Sequence, residues 1–94
     1  MNNVNLTSKP TVISASANVL SRRGALLGIF VNAASNTPTI TVYDDAATGT
    51  SVPLVAVFTP VGATWYPLPF DVQNGVYVVI TGTVSCTVAT QSGA

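Results

Sequence analysis

Valine and threonine fill roughly three in ten of the 94 positions, in short alternating runs cut by Gly, Pro, Asn and Asp. Side chains branched at Cβ lose rotamer freedom in a helix and pack well on a pleated surface, so this bias selects strands. Thr11 to Leu20 sets Ile13, Ala15, Ala17 and Val19 against Val12, Ser14, Ser16 and Asn18. Gly24 to Asn32 has Ala25, Leu27, Ile29 and Val31 on one side, Leu26 and Phe30 on the other. With both faces apolar, that strand is central or covered by a partner. A helix over residues 19–31 is the rival reading, and Gly24 and Gly28 would each cost it about 1 kcal/mol.

Pro38 to Asp44 alternates cleanly and ends in Asp45-Ala46-Ala47-Thr48-Gly49-Thr50, a turn built from Asp and Gly. Val52, Leu54, Ala56 and Phe58 then share a face, and Pro53 marks a strand start or an edge. Thr64 to Val72 is interrupted by Pro67 and Pro69, which predicts an edge strand or a long surface loop. Gln73-Asn74-Gly75-Val76 carries the signal of a tight hairpin with positive φ at both central residues. Val76 to Ile80 is nearly all apolar and reads as central. Thr81-Gly82-Thr83 is expected to reverse the chain, leaving Val84, Cys86 and Val88 as the last core face.

These runs amount to about seven to eight short strands at the spacing of a β-sandwich or barrel. The expected fold is all-β: a single-domain antiparallel β-sandwich, jelly-roll or immunoglobulin-like. It occupies residues 10–90, with an N-terminal arm at 1–9 and a polar C-terminal tail at 91–94.

Only six residues are charged: Lys9, Arg22, Arg23, Asp44, Asp45 and Asp71. Histidine is absent and the net charge is zero. A typical domain is about one-quarter charged. The shortage removes the residues that enzymes rely on: no imidazole for a Ser-His or Cys-His pair, no Cys/His cluster for zinc, no Gly-Lys phosphate loop. No catalytic, cofactor-binding or metal-ligating residue is assigned, no cofactor and no small-molecule substrate are expected, and the chain is not read as an enzyme. Asp44 and Asp45 with Thr48 and Thr50 suggest calcium, but an Asx-type turn at Asp44 that closes a hairpin is the better reading. Three Lys and Arg, offset by three Asp, are too few for nucleic acid. No apolar run approaches the ~18–20 residues of a spanning helix, so no membrane partner is expected.

Arg22-Arg23 before Gly24–Val31 imitate a secretion signal, but the polar stretch ahead of them favours a buried strand and synthesis in the cytoplasm. Cys86 is the lone cysteine and reads as core filler. The neutral surface needs either hydration by Ser, Thr, Asn and Gln or a partner to cover it, and a partner is the favoured reading. Candidate contact residues are Val4 and Leu6, which alternate in the arm and would strap onto a neighbour's sheet edge, and Arg22 and Arg23, which would meet a neighbour's Asp44-Asp45. Trp65, Tyr66 and Phe70 fit three roles: caps on the core, interface anchors, or a glycan platform.

Arg23-Gly24-Ala25-Leu26-Leu27-Gly28-Ile29, Pro38-Thr39-Ile40-Thr41-Val42-Tyr43-Asp44 and Thr48-Gly49-Thr50 occur in that order. Asn74-Gly75-Val76-Tyr77-Val78-Val79-Ile80-Thr81-Gly82-Thr83 and Cys86-Thr87-Val88 follow. Across residues 20–90 this order resembles small β-sandwich virion proteins of tailed bacteriophages, of the head decoration or cement kind. Where that family often has an Asp before the last strand's Thr-Val, this chain has Ser85-Cys86. The resemblance implies a layer on the virion's capsid surface, often trimeric, that binds the major capsid protein and its own copies and clamps capsomers against internal pressure. A phage tail or fibre accessory, including a host-adhesion module, is the alternative.

Overall fold

The computed structural model describes residues 8–92, so Val4 and Leu6 lie outside the described residues. Six strands follow in order: β1 (Ser8–Ile13), β2 (Ala17–Leu20), β3 (Gly24–Tyr43), β4 (Pro53–Phe58), β5 (Thr64–Val72) and β6 (Val76–Ser92). Ser8 and Lys9, expected in the arm, and Gln91 and Ser92, expected in the tail, belong to the sheet.

All six form one antiparallel sheet organised by the pairing of β3 with β6 along nearly their whole length. β1 pairs with the C-terminal half of β6, and β5 with the N-terminal half of β3. β2 pairs with the start of β6, and β4 with the end of β3. The curled sheet therefore has two leaves, ordered β1-β6-β3-β5 and β2-β6-β3-β4. β3 and β6 run through both.

Bulges in β3 produce the curl. From Gly24↔Ser92 to Tyr43↔Tyr77, β3 takes 19 steps and β6 takes 15. The surplus falls at Leu27, at Asn32 and between Ser35 and Thr39. Each extra residue bends the strand and raises its twist. The sharpest bend joins the leaves, where Thr37 (φ 48°) and Gly82 (φ 79°) face each other between the Ser35↔Thr83 and Thr39↔Thr81 pairs. A β-branched residue in the left-handed region is an outlier, and the Thr39 and Thr81 hydroxyls bond across the sheet beside it.

The expected reversal at Thr81-Gly82-Thr83 is thus a bend inside one strand, and the expected separate strands at 24–32 and 38–44 are one. The expected run of about seven to eight short strands corresponds to straight segments, because β3 and β6 each supply two. Conversely, Thr11 to Leu20 is not one strand. Residues 14–16 cross from leaf to leaf, and the Ser16 hydroxyl stands in for a ladder partner: it accepts from the Ile80 N–H at 2.9 Å and donates to the Ile80 carbonyl.

The even-numbered side chains of β6 point inward in both leaves: Val76, Val78, Val84, Cys86 and Val88 are buried. Leu26, Ile29 and Val31 from one half of β3 and Ile40 and Val42 from the other join the same core. Across the leaves Phe58 meets Tyr66 with ring centroids 5.1 Å apart. The inner face is a sandwich core made from one sheet.

Candidate functional site

The ionisable groups are dispersed. Asp44 is buried at the end of β3, and its carboxylate accepts three backbone N–H groups: Gln73 at 2.9 Å, Asn74 at 2.8 Å and Gly75 at 3.2 Å. Burial raises its pKa, but the three N–H groups together outweigh burial and hold the carboxyl below its ordinary value. Residues 73–75 carry the chain from β5 in one leaf to β6 in the other, so Asp44 fastens the leaves at the end away from the bend.

Two expectations change here. β5 and β6 are not partners, so Gln73-Asn74-Gly75-Val76 is a crossing between leaves and not a hairpin, and Asn74 is not in positive φ. The Asx-type bond belongs to Asp45, whose carboxylate accepts the Ala47 N–H at 2.7 Å. Asp44 closes the hairpin loop with its backbone instead, donating from N–H to the Val52 carbonyl at 2.8 Å.

With both oxygens of Asp44 engaged, only Asp45 of the pair is left to meet an arginine of a neighbour. Arg22 and Arg23 are exposed in the connection from β2 to β3. No three His, Cys, Asp or Glu side chains gather around one point among the described residues. Burial pushes the Cys86 thiol up to about 11, far from a reactive thiolate. An open hollow of about 440 Å³ lies at the bend, lined by small residues including Ser14, Ala33, Ser35, Gly82 and Ser85, none of them ionisable.

The aromatic trio separates. Tyr66 pairs with Ile29, packs on the core, and its hydroxyl accepts the Val61 N–H at 2.9 Å. It is a core cap. Phe70 pairs with Leu26 and so shares the inner side, although β5 is an edge and leaves its ring partly exposed. Trp65 alone faces outward. It pairs with Phe30, which pairs with Thr87, which pairs with Val12. Register partners share a face, so these four make one row across the outer side of the first leaf. Trp65 is 48% exposed, Phe30 38% and Val12 67%.

A second row runs beside it: Pro67, Gly28, Ala89 and Pro10. Gly28 is required where the rows meet. A Cβ there would overlap the indole of Trp65, lying 2.6 Å from its Cζ2, and would stand 2.7 Å from the Tyr66 carbonyl oxygen. Without that Cβ, the indole lies over the backbone. Asn32 donates an amide N–H to the hydroxyl of Thr87, the polar member of the first row, at 3.3 Å. Neither row carries a charge.

The expected alternation puts Leu26 with Phe30; the bulge at Leu27 instead turns Leu26 inward with Ile29 and Val31 and leaves Phe30 on the outer face. Val12 was not legible, because it falls on the more polar side of an alternating run. No family model matches the chain, and neither a curated protein nor a solved structure matches it.

Proposed function

We propose that this chain is a structural virion protein that decorates and stabilises a bacteriophage capsid, binding capsomers of the major capsid protein and copies of itself. The observation that carries the reading is a pair of uncharged rows on the outer face of the first leaf, one of them exposing Trp65, Phe30 and Val12. Isolated apolar side chains on a surface are ordinary, whereas the largest contiguous apolar patch of a chain is often a functional contact surface. The motif order along residues 20–90 supplies the phage context. Contacts of this kind are individually weak and gain strength when many copies sit on one lattice.

The test mixes the purified chain with empty heads of the parent phage and measures copies retained per head after pelleting. Saturation at on the order of hundreds of copies is expected, as for a repeating lattice site. No retention overturns the reading. Retention of a handful of copies at one vertex replaces it with the tail or fibre alternative.

A further inference from the structure

We propose that Asn74 is a latent deamidation site that Asp44 holds closed, so that opening of the crossing between the leaves converts Asn74 irreversibly to aspartate or isoaspartate. This holds whether or not the chain binds capsids.

The chemistry lies in the backbone. Asn74-Gly75 is the one Asn-Gly pair in the chain, and asparagine is a thermally labile residue. When the Gly75 nitrogen gives up its proton to solvent base and attacks the carbonyl carbon of the Asn74 side chain, a cyclic succinimide forms. The side-chain nitrogen leaves as ammonia. Water then opens the ring at either carbonyl and yields aspartate or isoaspartate, with no change of oxidation state. Glycine after the asparagine makes the attack easy, because no Cβ hinders the nitrogen.

The fold cannot dispense with that glycine. A Cβ on residue 75 would overlap the Leu20 carbonyl oxygen and stand 2.7 Å from the Asp45 carbonyl oxygen. The end of β2, the loop after β3 and the crossing all meet here. The residue that packing requires is thus the one that makes its neighbour labile.

Asp44 removes the hazard. One of its oxygens, Oδ1, accepts both the Asn74 N–H at 2.8 Å and the Gly75 N–H at 3.2 Å. The Gly75 nitrogen is the nucleophile, and a carboxylate bonded to its proton disfavours the anion that must form there. Those bonds also hold the Asp44 carboxyl below its ordinary pKa, which makes it a poor base for taking the proton. Gly75 is buried against Leu20 and Asp45, while Asn74 is exposed. The labile amide stands in water with its attacker locked away.

Conversion runs one way. Isoaspartate adds a methylene to the main chain, so the crossing no longer presents its N–H groups to Asp44 in step. Either product also puts a carboxylate on residue 74, beside the one that binds its N–H, and like charges repel. A chain that opens and reacts does not close as before.

Deamidation at mildly alkaline pH is read by peptide mapping with mass spectrometry, and isoaspartate by enzymatic methylation. In buffer the parent should react at residue 74 at least about tenfold more slowly than in urea. Asp44→Ala, folded by circular dichroism, should lose most of that protection. Asp44→Asn, which keeps an oxygen for Gly75, should fall between them and serves if Asp44→Ala does not fold. Gly28→Ala, which weakens the fold elsewhere and keeps the clamp, should stay slow. The acidic product made in urea and isolated by anion exchange should melt below the parent once refolded. Equal rates for the parent in buffer and urea overturn the proposal. So do Asp44 variants that react no faster than the parent, since the carboxylate would then not be protecting the site. Gly28→Ala reacting as fast as an Asp44 variant of equal stability overturns it too, because global unfolding would then expose Asn74. An acidic product that melts like the parent overturns the one-way step.

Discussion

Asp44→Ala is the substitution that most directly tests how the two leaves are held together. The carboxylate binds three consecutive N–H groups in the crossing from β5 to β6. The Gly75 N–H is buried, and leaving it bare costs about 1–3 kcal/mol. Gln73 and Asn74 are exposed, so their N–H groups can turn to water, and each loss costs about 0.5–1.5 kcal/mol. The three losses add to about 2–6 kcal/mol, and even about 3 kcal/mol is a large part of the ~5–15 kcal/mol that holds a domain together. For a chain of this size that lowers Tm by about 12–20 °C, and moves the urea midpoint by about 2–3 M. Asp44→Asn keeps the oxygen that serves Asn74 and Gly75 but turns an amide toward Gln73, and should cost about half as much.

The pH dependence supplies an independent arm. Because the folded-state pKa is depressed, the carboxylate's contribution is fully present above the unfolded value of about 3.9 and disappears as pH falls through the folded value. The gap in Tm between the parent and Asp44→Asn should thus be constant from pH 7 to pH 5 and shrink below about pH 4. Thermal unfolding by circular dichroism at pH 7, 5, 3.5 and 2.5 measures both arms. A D44A protein melting within about 2 °C of the parent at pH 7 refutes the staple. A gap that persists unchanged at pH 2.5 refutes its ionic character.

Gly28→Ala places a methyl against the Trp65 indole and near the Tyr66 carbonyl; it should lift the indole, shift its emission to the red and destabilise the fold by about 1–3 kcal/mol. An unchanged spectrum and melting curve would show that the indole does not rest on residue 28. The buried, unpaired Cys86 thiol should stay unreactive toward Ellman's reagent in the native protein at pH 8, and release about one equivalent of chromophore in urea. Rapid native labelling would contradict its place in the core.

Proline and apolar density make strand position readable from the residues alone. Pro53, Pro67 and Pro69 lie on strands that pair on one side only, while the doubly apolar runs at Gly24–Asn32 and Val76–Ile80 lie in the two strands that pair on both. Continuity was hidden. Ala33 to Ser35 and Thr81-Gly82-Thr83 lack a sustained apolar alternation, and the pairs that join them, such as Ala33↔Ser85 and Thr39↔Thr81, link residues more than 40 positions apart in sequence. No local pattern records such a pairing. The reverse error arose at Ser14–Ser16, where alternation continues through a crossing that one serine hydroxyl holds. At Asn74-Gly75 the sequence correctly marks a tight change of direction. What it could not show is that the flanking strands lie in different leaves, since the closing group is a carboxylate some 30 residues earlier.

The pattern of edges bears on how a chain with so few charges avoids uncontrolled association. Open strand edges are usually guarded by lysine, by proline, by shortness or by bulges. Here β1 contains Pro10, β4 begins with Pro53, β5 contains Pro67 and Pro69, and β2 has only four residues. Proline has no N–H to offer a foreign strand. Every described strand that pairs on one side thus carries proline or is short, with Lys9 on β1 and Asp71 on β5 adding charge, which disfavours growth edge to edge. It also weighs against an arm that adds a strand to a neighbour's edge, as Val4 and Leu6 would. Two prolines, Pro10 and Pro67, stand in the second row of the outer face, so the residues that close the edges also extend the apolar surface. Edge-to-edge growth, which propagates, is thereby disfavoured without closing the outer face.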